Sequence, residues 1–401
     1  MSPNTIGHTV AIIGGGNAGI SLAARLRRTG MTDIGVIEPA ESHFYQPLWT
    51  LVGGGCAPAG ESKRSEASVM PQGVGWIKDR AQEVDPGAQT VTTESGTCVS
   101  YDHLVVCPGI QLDWAAVPGM AESLHTAAVS SNYRYDLAPK TWQLIKQMRS
   151  GTAVFTMPSG PIKCGGAPQK IAYLAADYWR RQGVLDAIRV VLVLPTPGMF
   201  GVKVFADELE RVAARYGIEV RKNCEVTAVD PDARSVTITD NTDQTTEELA
   251  YDLLHVVPRQ SAPDWIKASP ISDPDNPGGY VQIDKNTMRH TRFGNIFALG
   301  DAGSSPNSKT GAAVRKQTPV VAANLQASLA GRPLPGRYGG YASCPLTTAR
   351  DKMLLAEFDY TMKPAPSIPL IDTTHERRDM WYLKRRGLPA LYWNLILTGR
   401  A

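Results

Sequence analysis

TVAIIGGGNAGISLAARLRRTGMTDIGVIEP, residues 9–39, runs from an apolar segment into three glycines, then an amphipathic segment, then a second apolar run ending on an acid. The order predicts strand, G-x-G-x-x-G turn, helix and strand. Gly14 makes the tight turn, and Gly16 lets the backbone approach a pyrophosphate. Gly19 allows helix and strand to pack closely, and Glu38 accepts hydrogen bonds from a ribose. The helix N-terminus supplies an anion site. A lone glycine motif says little, but one set in a full βαβ unit predicts a parallel sheet that binds a dinucleotide.

A second signature stands far downstream, in RHTRFGNIFALGDAGSSPNSKTGAAVRKQTPVVAANL, residues 289–325. A buried strand over 296–299 is expected to end on Gly300-Asp301 and to lead through a loop into an apolar helix. The order, glycine motif first and Gly-Asp near residue 300, resembles the two-dinucleotide-binding flavoproteins. In them the Asp holds the ribityl hydroxyls of FAD and the next helix aims its positive end at the flavin pyrimidine. The resemblance implies FAD, with Asp301 as a ligand, in a domain made of two chain segments. Lys316, one turn into that helix, is a candidate for stabilising negative charge on reduced flavin. A solvated helix lysine is the alternative.

Between the signatures, short strands are expected over 75–78, 82–85 and 90–93. They lead into His103-Leu-Val-Val-Cys107-Pro-Gly109, whose turn at Gly109 passes the flavin, with Cys107 a small buried thiol behind it. After a crossover over 112–137 a second α/β unit begins: strand 153–157, helix 167–182, strand 188–194, helix 202–216 and strand 217–222. Further strands are expected near 225–230, 235–239 and 251–257. The fold class is therefore α/β with two Rossmann-like domains, the FAD domain discontinuous and the second degenerate. The expected organisation is an FAD domain over 1–112 and 259–330, the second domain over 113–258, and a C-terminal region over 331–401 that meets quinone and membrane.

The second unit has an altered phosphate loop, SGPIKCGGAPQK, residues 159–170. Its glycine spacing is wrong, and Pro158 and Pro161 remove N–H donors that a pyrophosphate would use. Pro195-Thr196-Pro197 stands where an acid would end the next strand. These departures argue against NAD(P)H. Lys163, Gly165 and Gly166 remain, and Pro168 suits a first helical turn. A thiol at Cys164 would sit beside an ammonium and a helix N-terminus, both of which favour thiolate. An inert buried cysteine is the alternative.

Composition narrows the class. The net charge of +3 is too small to argue for nucleic acid. The start of the sequence lacks the pattern of a signal peptide, and no apolar run approaches the roughly 20 residues of a membrane span. The six cysteines lie far apart with no CxxC, which excludes a zinc ribbon, and no metal is expected. Cys344, in GGYASCPL, is expected to be fairly accessible. From Glu376 the chain reads ERRDMWYLKRRGLPALYWNLILTGRA. Arg377, Arg378, Lys384, Arg385 and Arg386 alternate with Met380, Trp381 and Leu383, the pattern of a helix lying in a membrane surface. A helix docked on the body or in a dimer contact is the alternative.

These segments together resemble the sulfide:quinone oxidoreductases, in the branch that includes the mitochondrial enzyme. IKCGGAPQKIAYL is similar to that family's first thiol loop, YASCPLTTARDKMLLAEFDY to its second, and HFYQPLWTLVGGG (His43 to Gly55) to its flavin-side segment, with Gln46 a flavin-binding residue. The resemblance implies a Cys164–Cys344 redox pair, often bridged by an extra sulfur. Sulfide attacks it, a persulfide stays on Cys344, and Cys164 leaves as a thiolate facing the flavin. Electrons pass through FAD to a membrane quinone, and the sulfur goes to sulfite, glutathione or sulfide. Phe358 and Tyr360 are candidates for the quinone wall, with packing in the C-terminal core the alternative. Other branches carry a third cysteine, sometimes linked to FAD; here Ser130-Ser131-Asn132-Tyr133 stands in its place, so non-covalent FAD is expected. A peripheral membrane protein on the cytoplasmic face of an inner membrane, forming a homo-oligomer, completes the expectation. The competing readings are an NAD(P)H:quinone or NAD(P)H:ferredoxin reductase and a flavin-binding scaffold without turnover.

Overall fold

The computed structural model describes residues 5–368 and 370–401. The first apolar run forms a strand, Thr5–Ile13, paired in parallel with Ile34–Ile37 on one side and Cys98–Val106 on the other. Gly75–Ile77 extends the sheet beyond Ile34–Ile37. Val10 to Ile13 are almost wholly buried, as in a parallel sheet covered on both faces. Strand Cys98–Val106 is long enough to serve two neighbours. Its first half takes Thr90–Thr93 in antiparallel pairing, and its second half takes Ile296–Ala298 in parallel, although some 190 residues separate the two in sequence. The late strand thus returns to the first sheet, which makes this unit discontinuous.

The second sheet is wholly parallel, in the order Val129–Ser130, Leu253–His255, Gly151–Thr156, Ile188–Val193, Glu219–Arg221. An antiparallel meander, Cys224–Asp230, Ser235–Asp240 and Thr246–Ala250, is inserted before its last strand. The chain crosses between the two units twice, at Gln111–Asp113 and Arg259–Ser261, and these crossings pair with each other. The element positions expected from periodicity agree with those observed to within about two residues.

Two elements bring the C-terminal region onto the second unit. Helix Ala167–Arg181 is buried on nearly every side, because strand Ala342–Ala349 lies against it. That strand pairs antiparallel with Lys352–Phe358, with Cys344 opposite Ala356. Residues 378–396 then form one helical run whose Trp381, Tyr392, Trp393 and Ile396 are buried with Ile20, Tyr45, Leu48, Leu51 and Leu174. This corrects the expectation that the apolar side of the run faces lipid; it is spent on the body of the protein. Among the described residues no helix is long and apolar enough to cross a membrane.

Candidate active site

The glycine turn behaves as its spacing requires. Gly14 has φ +103°, and a side chain there would strike the Cys107 carbonyl. A Cβ on Gly19 would lie 1.8 Å from the Gly14 carbonyl oxygen, so helix and turn can meet only at glycine. Gly16 has no atom near its would-be Cβ and opens onto a cavity of about 600 Å³. Glu38 ends the second strand there, accepting hydrogen bonds from the N–H groups of Gly15 and Ala40, each at 2.7 Å. Burial pushes its carboxyl up, and the two N–H groups oppose that. Gln46, Gly109 and Asp301 line the same cavity. Burial also raises Asp301, against the ammonium groups of Lys309 and Lys163. An open glycine turn, a carboxylate at a strand end and a buried acid fit the pyrophosphate, ribose and ribityl groups of a flavin dinucleotide.

Lys316 is a correction. It is exposed, outside this cavity, with its ammonium 5.6 Å from the Tyr341 ring. The first helical turn presents its other face inward, through Thr310, Gly311, Ala312, Val314 and Arg315. The buried cation near Asp301 is Lys309, whose Nζ donates to the carbonyls of Asp301 (2.7 Å) and Gly303 (2.9 Å). Burial lowers its pKa to about 8.

The loop 159–170 is fastened to this cavity. The Cys164 N–H donates to the Lys309 carbonyl at 2.7 Å, and the Lys163 N–H to Gln260 Oε1 at 2.9 Å. Cys164 has φ +55°, a left-handed conformation costly for a residue other than glycine, held by these bonds and by Ala167 N–H donating to its carbonyl. Gly166 has a local reason: a Cβ there would fall 2.2 Å from Leu346 on the strand that carries Cys344. The two sulfurs thus come within 4.0 Å, although 180 residues separate them in sequence.

The cation on the Cys164 sulfur is Lys170, at 3.2 Å, not the adjacent Lys163. Lys163 points to Gln46 Oε1 (2.6 Å), with the rings of Trp49 and Tyr133 5.7 and 5.5 Å from its ammonium. Its pKa falls to about 8 through burial. The Cys344 thiol hydrogen bond and then Lys170 hold Cys164 well below the usual thiol range, overcoming a burial that opposes ionisation. The same hydrogen bond, with burial, pushes Cys344 well up. The pair is therefore polarised into a thiolate and a thiol. Cys344 is 0% exposed, which corrects the expected accessibility: Leu346, Leu354 and Ala356 of its own hairpin are buried with it in one apolar cluster.

Three further residues reach the site unannounced by any motif. Tyr133 donates from its hydroxyl to the Lys163 carbonyl at 3.1 Å. Lys384 is only 2% exposed, lines the cavity, and donates to the Pro47 carbonyl at 2.8 Å. Burial, then Lys170, lower its pKa to about 7. The Asn132 side chain is buried without a partner among the described residues and faces the cavity. Cys107 is buried with its Sγ 3.8 Å from the Gly14 carbonyl, and burial raises its pKa.

Phe358 and Tyr360 do not line the cavity. Phe358 packs edge-on to Phe200 at 5.5 Å, and Tyr360 donates to the Lys285 carbonyl at 2.7 Å. Apolar lining comes instead from Leu355, Leu383, Leu388, Leu391 and Ile396, four of them on the C-terminal helical run. Of the cations in that run, Lys384 is internal and Arg385 binds Glu61 and the Cys56 carbonyl. Arg378 and Arg386 are exposed.

Comparison with known proteins agrees with this geometry. Residues 8–318 match the family described as pyridine nucleotide-disulphide oxidoreductase. The chain is 38% identical to the mouse protein named sulfide:quinone oxidoreductase, mitochondrial, over 98% of this chain and 87% of that one. A Dictyostelium discoideum protein of the same name is 38% identical over 98% and 86%. The crystal structure of the Aquifex aeolicus sulfide:quinone oxidoreductase superposes with a TM-score of 0.79 at 20% identity, covering 99% of this chain and 92% of that one.

Proposed function

The chain belongs to the sulfide:quinone oxidoreductases, within the pyridine nucleotide-disulphide oxidoreductase family, and from that premise we propose how its own residues carry the chemistry. It is a flavin-dependent enzyme that oxidises sulfide with a quinone as acceptor. The observation that carries the residue assignment is the Cys164–Cys344 pair at 4.0 Å with Lys170 on the former.

In the oxidised enzyme the two sulfurs are bonded. Hydrosulfide attacks the Cys344 sulfur; a new S–S bond forms there, the Cys164–Cys344 bond breaks, and its electron pair leaves on Cys164. The proton of hydrosulfide stays on the persulfide. A good leaving thiolate is one of low pKa, and Lys170 helps to provide it. A nucleophilic acceptor (sulfite, glutathione or a second sulfide) then takes the outer sulfur and leaves Cys344 as a thiol. Re-forming the Cys164–Cys344 bond releases one proton and two electrons. The chemistry a flavin supplies here is acceptance of that pair and its delivery to quinone. Glu38, Gln46, Gly109 and Asp301 would hold the FAD, with Gly14, Gly16 and Gly19 shaping the turn beneath it.

The FAD is bound non-covalently: of the described cysteines only Cys107 and Cys164 line the cavity, and Cys107 is turned to the Gly14 carbonyl. Acid precipitation should leave the flavin in the supernatant. Quinone enters against Leu383, Leu388, Leu391 and Ile396. The protein meets the cytoplasmic face of a membrane peripherally through Tyr382, Leu395, Arg378 and Arg386, which remain exposed on the docked helix. The test of the function is anaerobic mixing with sulfide and, separately, with NADH and NADPH. Prompt bleaching of the flavin by sulfide alone is expected; bleaching by a nicotinamide and not by sulfide would overturn the reading.

A further inference from the structure

A second buried polar chain stands apart from the sulfur chemistry. Strand Ser42–Phe44 pairs antiparallel with Lys63–Ser65, so His43 and Glu66 meet at the end of a short ribbon. Each is 2% exposed. His43 Nδ1 lies 3.2 Å from Glu66 Oε2, and His43 Nε2 lies 2.6 Å from the hydroxyl of Tyr392 on the C-terminal helical run. With Nδ1–H donating to the carboxylate, Nε2 accepts from the Tyr392 hydroxyl.

The other oxygen, Glu66 Oε1, is buried without a partner among the described residues. Such an atom costs stability unless a ligand completes it. It lies 2.8 Å from where a Cβ on Gly15 would be, and the Glu38 side chain lies 2.6 Å from the same point. Glu38, through its Cβ and Cγ, and Glu66, through Oε1, therefore pack side by side over Gly15 of the glycine turn. Both line the cavity with Gly15 and Gly16. Carboxylate oxygens only accept, and a pair of them calls for a pair of neighbouring hydroxyl donors. A ribose supplies that pair.

Resting on the flavin dinucleotide reading above, we propose that Glu66 is a second ribose-binding carboxylate. Through His43 and Tyr392 it also makes dinucleotide binding and docking of the C-terminal helix interdependent. A hydroxyl on Oε1 fixes the carboxylate, the carboxylate fixes the imidazole, and the imidazole gives Tyr392 its acceptor. Undocking the helix strips His43 Nε2 of its partner. Coupling of this kind is reciprocal: the factor by which FAD favours docking equals the factor by which docking favours FAD.

The test uses the full-length chain stripped of flavin, titrated with FAD, ADP and FMN, together with hydrogen exchange of the amides of residues 388–397. Glu66→Leu removes both acceptor oxygens; it should weaken FAD and ADP about three- to tenfold, the worth of one hydrogen bond, and leave FMN unchanged. In the holoenzyme its flavin should leave on dilution faster by a similar factor. FAD should slow exchange in residues 388–397 of the wild type and lose most of that effect in Tyr392→Phe. Unaltered FAD and ADP affinity in Glu66→Leu overturns the ribose contact. Equal exchange with and without FAD in the wild type overturns the coupling. Neither readout involves sulfide, so both stand apart from the assignment of the reaction.

Discussion

Replacing Lys170 with methionine keeps the length of the side chain and removes the ammonium 3.2 Å from the Cys164 sulfur. A hydrogen bond to a charged group is worth about 1.5–3 kcal/mol. At about 1.4 kcal/mol per pH unit, the Cys164 pKa should rise by roughly one to two units. It should still stay below that of an ordinary thiol, because the Cys344 hydrogen bond, the larger cause of the depression, remains. The assay is the pH dependence of Cys164 alkylation in the reduced enzyme, followed by peptide mass. The wild-type rate should hold to a lower pH than that of the variant before it falls. Flavin reduction by sulfide should slow as well, since a thiolate of higher pKa leaves less readily. An unchanged midpoint would refute the assignment of Lys170, and a change to the Lys163→Met profile would restore the sequence-adjacent lysine in its place.

Lys384 gives a prediction in stability. Its pKa is about 7 in the folded protein and 10.5 as a free side chain. Between those values the unfolded chain binds the extra proton, so the flavin-free wild type should gain stability as pH rises from 7 to 10. The slope should be on the order of 1 kcal/mol per pH unit. Lys384→Met should lose that slope between pH 7 and 8 and keep above pH 8 only what Lys163 and Lys309, each lowered to about 8, contribute, read by denaturant unfolding; an identical slope would place the ammonium in water. For the quinone side, Leu391→Glu should raise the KM for quinone about tenfold or more while flavin reduction by sulfide keeps its rate, and the reverse pattern would move the quinone elsewhere. Phe358→Leu, by contrast, should leave the quinone KM unchanged and lower stability by about 1 kcal/mol, as a volume-reducing core change does.

What could be read from the chain depended on how local the physics was. The glycine turn and Glu38 were legible because each glycine answers to a contact within its own βαβ unit, as Gly19 does against Gly14. Cys164 was legible because two prolines and a thiol break a pattern that phosphate would require. Its ammonium was misread: Lys163 is adjacent in sequence, but the left-handed turn at Cys164 sends the chain into a helix. Lys170, near the start of that helix, is then the residue that returns to the sulfur. Helical spacing from Pro168 carried that signal. Lys384, Tyr133 and the burial of Cys344 depend on the C-terminal hairpin and helix closing over the second sheet, which no local pattern encodes. The apolar run at 388–397 was read as lipid-facing because amphipathicity does not say which apolar surface covers it, and here Tyr45 and Leu174 do. Lys316 failed for a related reason: position along a helix was known, but not its rotation about the axis.

The account rests on two thiols acting as one redox pair, and its most direct test is anaerobic stopped-flow mixing of sulfide with wild type, Cys164→Ser and Cys344→Ser while the flavin absorbance is followed. The wild type should bleach promptly, with a long-wavelength band as thiolate meets flavin. Both variants should lose sulfide-dependent bleaching by several orders of magnitude, since neither can form the bond that sulfide attacks. Flavin reduction at the wild-type rate in either variant would contradict the account.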